Sequence, residues 1–192
     1  MSERREAGIY PHEKQSFSSG APNDAPSSER GPERPGGGAP ESGTVSELIE
    51  EHRRACAEFS RAAALVQPDQ WERQTPCTDW DARALVEHVI GFHDFLLLRP
   101  MGVRANRPRT DPVARWEATR TAIFTALDAP GALDQATDLP GGGRSTPRTM
   151  LGALTTEMLV HTWDLAEATD QQPTAGVLAA ARAYGRDPEW RT

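Results

Sequence analysis

One twelve-residue segment, residues 154–165 (LTTEMLVHTWDL), constrains the fold more than any other stretch of the sequence. Its residues at spacings of three and four predict one buried face of a helix. That face consists of Leu154, Met158, His161 and Leu165. Glu157 and His161 are four residues apart, so on a helix they share a face. A charge on or beside an apolar face is costly unless it is paired or coordinates a metal. The segment therefore predicts a buried helix that carries a polar function.

The rest of the chain repeats the helical periodicity, without a convincing pair of strands and without an internal repeat. Helices are predicted over residues 45–66, 80–98, 112–127, 148–169 and 175–184. Thr44 and Glu47 form the T-x-x-E pattern of a capping box, which places Thr44 at the N-cap of the first helix. Thr78 or Asp79 is the expected N-cap of the second helix. The pattern predicts an all-α four-helix bundle with a short extra C-terminal helix.

Composition divides the chain into two parts and excludes several classes of protein. Residues 1–43 are rich in Ser, Pro, Gly and Glu, and we expect them to form a disordered tail before a bundle over residues 44–192. The formal net charge of −7 argues against a nucleic-acid partner. The sequence has no secretory signal and no apolar window long enough to span a membrane. The chain has two cysteines and no CxxC pair, so we expect no disulfide or cysteine–metal framework. These features together lead us to expect a cytoplasmic protein.

Three polar residues are the candidates for a shared site in the bundle interior. His88 lies beside Leu85 and Phe92 in the apolar stripe of the second helix, and Glu157 and His161 lie on the fourth helix. Facing helices of a bundle project such residues inward. Two imidazoles and one carboxylate form a ligand set of catalytic zinc sites, which keep one position open. The same set also holds iron, nickel or manganese, so the ligand types alone do not identify the metal.

Each candidate also has a structural interpretation. A lone histidine on an apolar face is more often a hydrogen-bonded core residue than a ligand, and Glu157 could be a half-exposed acid. His52 is four residues from both Leu48 and Cys56 and could lie at the edge of the apolar side, but its immediate neighbours are all charged, so it is expected to be partly exposed, with no ligand role. His93 lies at the far edge of the second stripe and is a weaker candidate than His88.

Three further side chains complete this set of expectations. Asp164, three residues after His161, is a candidate acceptor for the imidazole N–H. Cys56 is expected to be a small core residue. Cys77 is expected to pack at the entry to the second helix, with a functional thiol as the alternative.

Three motifs resemble one known family. TPCTDWDARALVEHVIG and LVHTWDLAEATDQQP are similar to the second-helix and fourth-helix signatures of the mycothiol-dependent maleylpyruvate isomerase N-terminal domain, which belongs to the DinB-like superfamily of metal-binding bundles. The final GRDPEW resembles the end of a short, single-domain subgroup of metal-binding proteins. The resemblance covers residues 44–192 and occurs in the same order along the chain. It implies a DinB-like four-helix bundle.

The resemblance also implies a chemistry. It places a divalent metal, zinc before others, on His88, Glu157 and His161. Its members isomerise maleylpyruvate or transfer a low-molecular-weight thiol such as mycothiol, so a small-molecule thiol and an electrophile are the expected partners. Such bundles commonly form homodimers, and no residue pattern here decides for or against one.

Two departures leave the reaction open. The isomerase has a second, C-terminal domain, and the segment GFHDFLLLRPMG departs from the Gly- and Asn-rich form of close relatives. The alternative is a non-catalytic, metal-stabilised bundle with a structural or partner-binding role. The sequence does not identify the electrophile, the thiol or the metal.

Overall fold

The structure is a computed structural model that describes residues 44–138 and 142–186. Its helices are α1 (Val45–Ala64), α2 (Ala82–His93), α3 (Pro112–Leu127), α4 (Pro147–Ala168) and α5 (Ala175–Ala183). Two short antiparallel strands, β1 (Thr137–Asp138) and β2 (Arg144–Ser145), precede α4. The predicted disordered tail, the glycine-rich break around residues 139–141 and most of the GRDPEW motif lie outside the described residues. The division into residues 1–43 and 44–192 therefore stays a prediction.

Side-chain caps explain where the first two helices begin. The Thr44 hydroxyl accepts the Glu47 N–H, and the Glu47 carboxylate accepts the Thr44 N–H at 2.6 Å, so the predicted capping box is present. The predicted N-cap of α2 is wrong, because Asp81 caps that helix by accepting the Ala84 N–H. The preceding residues are held in a loop, in which Gln74 Nε2 donates to the carbonyl of Trp80 at 2.9 Å.

A π-helical turn, Asp94–Leu98, follows α2 where the sequence predicted a continuous α-helix. The backbone N–H of Arg99 donates to the Asp94 carbonyl, five residues earlier, at 2.9 Å. The Arg99 side chain also spans these five residues, since its Nε donates to Asp94 Oδ2 at 2.7 Å. Arg107 donates to the other oxygen of the same carboxylate, also at 2.7 Å. These charge-assisted bonds stabilise the wider turn.

The four long helices form a closed ring of contacts. α1 packs on α4, α4 on α2, α2 on α3, and α3 on α1, while α5 packs on α4. Phe59 of α1 meets Trp116 of α3 edge to face at 5.0 Å, and the Trp116 Nε1–H donates to Ser60 Oγ. The predicted all-α four-helix bundle with a short extra helix is thereby confirmed. Among the described helices, none combines the length and the apolar composition needed to cross a membrane.

Candidate metal centre

The three residues selected from the sequence come together between α2 and α4. One ligand atom from each of His88, Glu157 and His161 lies within 4.8 Å of the other two. His161 Nε2 is 3.1 Å from Glu157 Oε2, and the rings of His88 and His161 meet edge to face at 5.1 Å. We call this set the His–Glu–His triad. His161 is buried, whereas His88 and Glu157 are half-buried, so the triad opens towards solvent on the side of those two residues.

Asp164 fixes the orientation of the His161 ring. The His161 Nδ1–H donates to Asp164 Oδ2 at 2.9 Å, as the three-residue spacing led us to expect. The other ring nitrogen, Nε2, then faces Glu157 and is the atom available to a metal. A metal-binding histidine usually donates its second N–H to a carboxylate or a carbonyl in this way.

The protonation states of the triad follow from its surroundings. Its bond to His161 holds the pKa of the Glu157 carboxyl below its usual value, against the effect of burial. Burial, with the nearby His161, lowers the pKa of His88 to about 4, so His88 is a neutral imidazole. Burial opposes protonation of His161, but bonds to Asp164, Cys77 and Glu157 outweigh burial and raise its pKa to about 10. In the metal-free protein, a proton on His161 therefore supplies the positive charge that the carboxylates require.

These properties fit a divalent ion. A carboxylate, a neutral imidazole and a second imidazole oriented by an acid are a usual three-ligand set for zinc. The ion would have to displace the His161 proton, because only a deprotonated nitrogen can be a ligand. The partial exposure of two of the residues leaves room for a further ligand from solution.

Two aromatic rings stack on His88. The ring centroids of Trp80 and His88 are 3.9 Å apart, and those of His88 and Phe92, one turn later on α2, are 5.7 Å apart. Trp80 also meets the edge of His161 at 5.8 Å. The loop before α2 thereby contributes to the site, a role that helical spacing could not reveal.

A cysteine and an arginine extend the triad through Asp164. The Cys77 thiol donates to Asp164 Oδ2 at 3.3 Å, and Arg186 Nη2 donates to the same oxygen at 2.9 Å. Arg186 Nη2 also lies 2.9 Å from Cys77 Sγ. Cys77 packs against the core as expected, but it is also part of this polar network. Arg186 was missed in the sequence, since it lies beyond α5 in a segment without a periodic pattern.

The expectation for His52 was wrong. His52 is fully buried between α1 and its neighbours, although its sequence neighbours are charged. His93 is also buried, and Cys56 is the core residue that the sequence predicted. One ligand atom from each of these three residues lies within 4.8 Å of the other two. A second polar cluster therefore exists in the bundle, apart from the triad.

Comparison with known proteins identifies the family. The profile of the mycothiol maleylpyruvate isomerase N-terminal domain matches residues 52–166, which include the whole triad. The chain belongs to this family. The resemblance to this family is thereby confirmed, whereas the single-domain subgroup indicated by GRDPEW stays a prediction.

Uncharacterised proteins from two strains of Mycobacterium tuberculosis are similar to this family member. Each is 35% identical to it over 144 residues, which make up 69% of the chain and 76% of the relative. A crystal structure of a histidine-to-alanine mutant of the mycothiol-dependent maleylpyruvate isomerase matches with a TM-score of 0.49 and 16% identity. That match covers 72% of this chain and 66% of the isomerase, so the chain spans just under two thirds of the isomerase's length.

Proposed function

We propose that this family member binds one divalent metal through His88, Glu157 and His161, with zinc as the first candidate. The protein uses this metal in a reaction of a small-molecule thiol with an electrophile. The observation that carries the proposal is the convergence of the three ligand atoms within 4.8 Å. A thiol of the mycothiol type is the proposed cosubstrate, because the family is named for one. The reaction class is thiol transfer or an isomerisation of the maleylpyruvate type.

The bound ion would supply Lewis acidity, which lowers the pKa of a thiol and so produces the nucleophilic thiolate at neutral pH. The chain's own residues have separate tasks. Asp164 holds the His161 ring so that Nε2 points at the site, and Trp80 keeps His88 from rotating by stacking on it. Glu157 contributes the negative charge that offsets part of the charge of a divalent ion.

Arg186 is the residue that we propose for binding an anionic substrate. Its guanidinium reaches the Cys77–Asp164 network, and the loop residues Cys77 and Trp80 line a surface cavity together with it. The side chain remains 26% exposed, so part of the guanidinium can contact a ligand. An electrophile with a carboxylate would be oriented there, since arginine binds carboxylates through paired N–H donors.

Metal analysis tests the first half of the proposal. We expect purified protein to carry about one divalent ion per chain at this site. His88→Ala and His161→Ala should lose that ion. Retention of the ion in both variants, or protein that remains metal-free after incubation with zinc, would show that the triad is not a metal site.

Thiol-dependent turnover tests the second half. Glu157→Ala should abolish thiol consumption with an electrophile while the helical content measured by circular dichroism persists. Glu167→Ala is the matched control, because Glu167 lies on the same helix outside the triad and should leave turnover unchanged. A thermal-shift screen with low-molecular-weight thiols should identify the cosubstrate by a rise in melting temperature that requires the metal.

A structural role is the second candidate, and one observation favours it. Tyr184 donates to Glu157 Oε1 at 3.4 Å and Arg186 donates to Asp164, so the site joins α4 to the end of α5. A metal there would stabilise the attachment of the C-terminal residues without catalysis. Under this alternative, Glu157→Ala lowers the melting temperature, and neither the variant nor the parent consumes thiols.

A further inference from the structure

Three buried side chains form a second cluster that the proposed function does not use. His52 and Cys56 lie one turn apart on α1, and His93 is the last residue of α2. The exposed fractions of these residues are 0%, 0% and 1%, respectively. One nitrogen of each imidazole and the sulfur of Cys56 lie within 4.8 Å of one another. We call this set the His–Cys–His cluster.

The hydrogen bonds around the cluster determine which ring nitrogens carry protons. The Thr155 hydroxyl donates to the Leu151 carbonyl at 2.7 Å, so its oxygen is free to accept from His52 Nδ1–H at 3.0 Å. His93 Nδ1–H donates to the Val89 carbonyl at 2.8 Å. Both imidazoles are therefore Nδ1–H tautomers, and each keeps a lone pair on Nε2. This arrangement, with the second nitrogen of each ring bonded to protein oxygen, is typical of histidine ligands.

The cluster has two acceptor nitrogens, Nε2 of His52 and Nε2 of His93, but a single donor proton, on Cys56. The Cys56 Sγ–H can donate to only one acceptor, and it lies 3.5 Å from His52 Nε2. His93 Nε2 is buried and has no hydrogen-bond partner in the described part of the chain. A buried acceptor without a donor is destabilising. A single cation between the three residues would bind both lone pairs and the sulfur at once.

Charge balance selects the kind of cation. Binding releases the Cys56 proton to solvent and leaves a thiolate, so a monovalent ion makes the buried site neutral. A divalent ion would leave one uncompensated positive charge in the core, which is costly. The charged groups that act on Cys56 are Arg53, Arg120 and Glu117, two cations against one anion. Their balance adds no negative charge to offset a divalent ion.

We propose that His52, Cys56 and His93 form a second metal site, buried in the bundle and suited to Cu(I). Thiolate is a soft ligand that favours Cu(I), and imidazole binds copper as well. Cu(I) accepts low coordination numbers, so it needs no further ligand in this closed space. The site differs from the triad, which is half-exposed and has a carboxylate in place of the sulfur. The ion would enter by local opening of the bundle, so loading is slow.

A Cu(I) titration of the full chain tests the proposal. The protein is first saturated with zinc to fill the triad and is then incubated without oxygen with Cu(I) buffered by a chromophoric chelator. We expect about one copper per chain, thiolate-to-copper absorption in the near ultraviolet, and X-ray absorption that shows one sulfur and two imidazoles. Copper that stays on the chelator, or that binds without a sulfur ligand, would overturn the proposal.

Matched variants locate the copper. Cys56→Ser and His93→Gln should lose the copper and its absorption, whereas Cys77→Ser and His88→Ala should retain both. The reverse pattern would place the copper at the triad and Cys77, and a protein that takes up zinc here but not Cu(I) would contradict the charge argument. If Cys56→Ser does not fold, the sulfur signal of the parent and of Cys77→Ser still decides which cysteine binds.

Discussion

Replacing Asp164 with asparagine tests how the triad is held in place. The carboxylate is fully buried, and its Oδ2 accepts from His161 Nδ1 and Arg186 Nη2, each at 2.9 Å. Asparagine has nearly the same shape but no charge and only one acceptor oxygen. Its oxygen can still accept from both donors, but without the negative charge both bonds are weaker, and the amide NH2 takes the position of Oδ1, which has no hydrogen-bond partner in the described part of the chain. The His161 ring should therefore become less firmly oriented and a weaker ligand.

The expected loss follows from the role of an outer ligand partner. Removing such a partner weakens metal affinity about 10- to 100-fold, which corresponds to about 1.4–2.7 kcal/mol. The assay is zinc competition against a chromophoric chelator, with the dissociation constants of parent and Asp164→Asn compared at one pH. The metal-free variant should also unfold more easily, by about 1–3 kcal/mol, because the buried carboxylate charge that strengthens the bonds from His161 and Arg186 is removed.

A second acid supplies the control for this experiment. Asp94 is also largely buried and pairs with Arg99 and Arg107, each at 2.7 Å. Asp94→Asn should lower stability to a similar extent but leave the zinc dissociation constant within about twofold of the parent. Equal zinc affinity of Asp164→Asn and the parent would refute the orienting role, and equal weakening in both variants would show that general loosening is the cause.

Two other perturbations examine the loop before α2 and the start of α1. Trp80→Ala removes the ring stacked on His88, so we expect zinc binding to weaken about two- to tenfold. Trp80→Phe keeps an aromatic ring and should retain most of the affinity. Equal loss in both variants would contradict a stacking role. Thr44→Ala removes the capping bond to Glu47, so the free energy of unfolding measured by urea titration should fall by about 1 kcal/mol. The zinc affinity should stay unchanged. Weaker zinc binding would show that the start of α1 and the triad are coupled.

Helical periodicity selected the three residues of the triad, two by a local spacing and the third by its place in an apolar stripe. Glu157 and His161 share one face of α4 by their separation of four residues, and His88 lies in the apolar stripe of α2. In a four-helix bundle such stripes can only face the interior. The same local rule predicted the Asp164–His161 bond, which spans three residues. The predicted ends of α3 and α5 also agree with the structure to within one residue.

Contacts between distant segments could not be predicted in this way. Trp80 and Cys77 reach the site from a loop, and Arg186 reaches it from beyond α5. Their sequence positions show no period that links them to α4. The π-helical turn after α2 depends on Arg107, a residue thirteen positions after Asp94, for one of its stabilising bonds.

The error at His52 has a specific cause. Its neighbours in the segment EEHRR are charged, but helical neighbours in space are three and four residues away, and Cys56 and Leu48 lie there. The imidazole is buried because Thr155 on α4 provides an acceptor for its N–H. A single charged stretch in a helix thus says little about the one residue in it that faces the core.

The five-residue separation of His88 and His93 explains how α2 serves two clusters. Each residue advances about 100° around a helix, so five residues bring a side chain to about 140° from the first. His88 therefore meets His161 of α4, while His93 meets His52 of α1, with ring centroids 5.1 and 5.3 Å apart, respectively. A shorter separation of three or four residues would place both imidazoles on one face and at one site. The spacing therefore keeps a half-exposed cluster with a carboxylate apart from a buried cluster with a thiol.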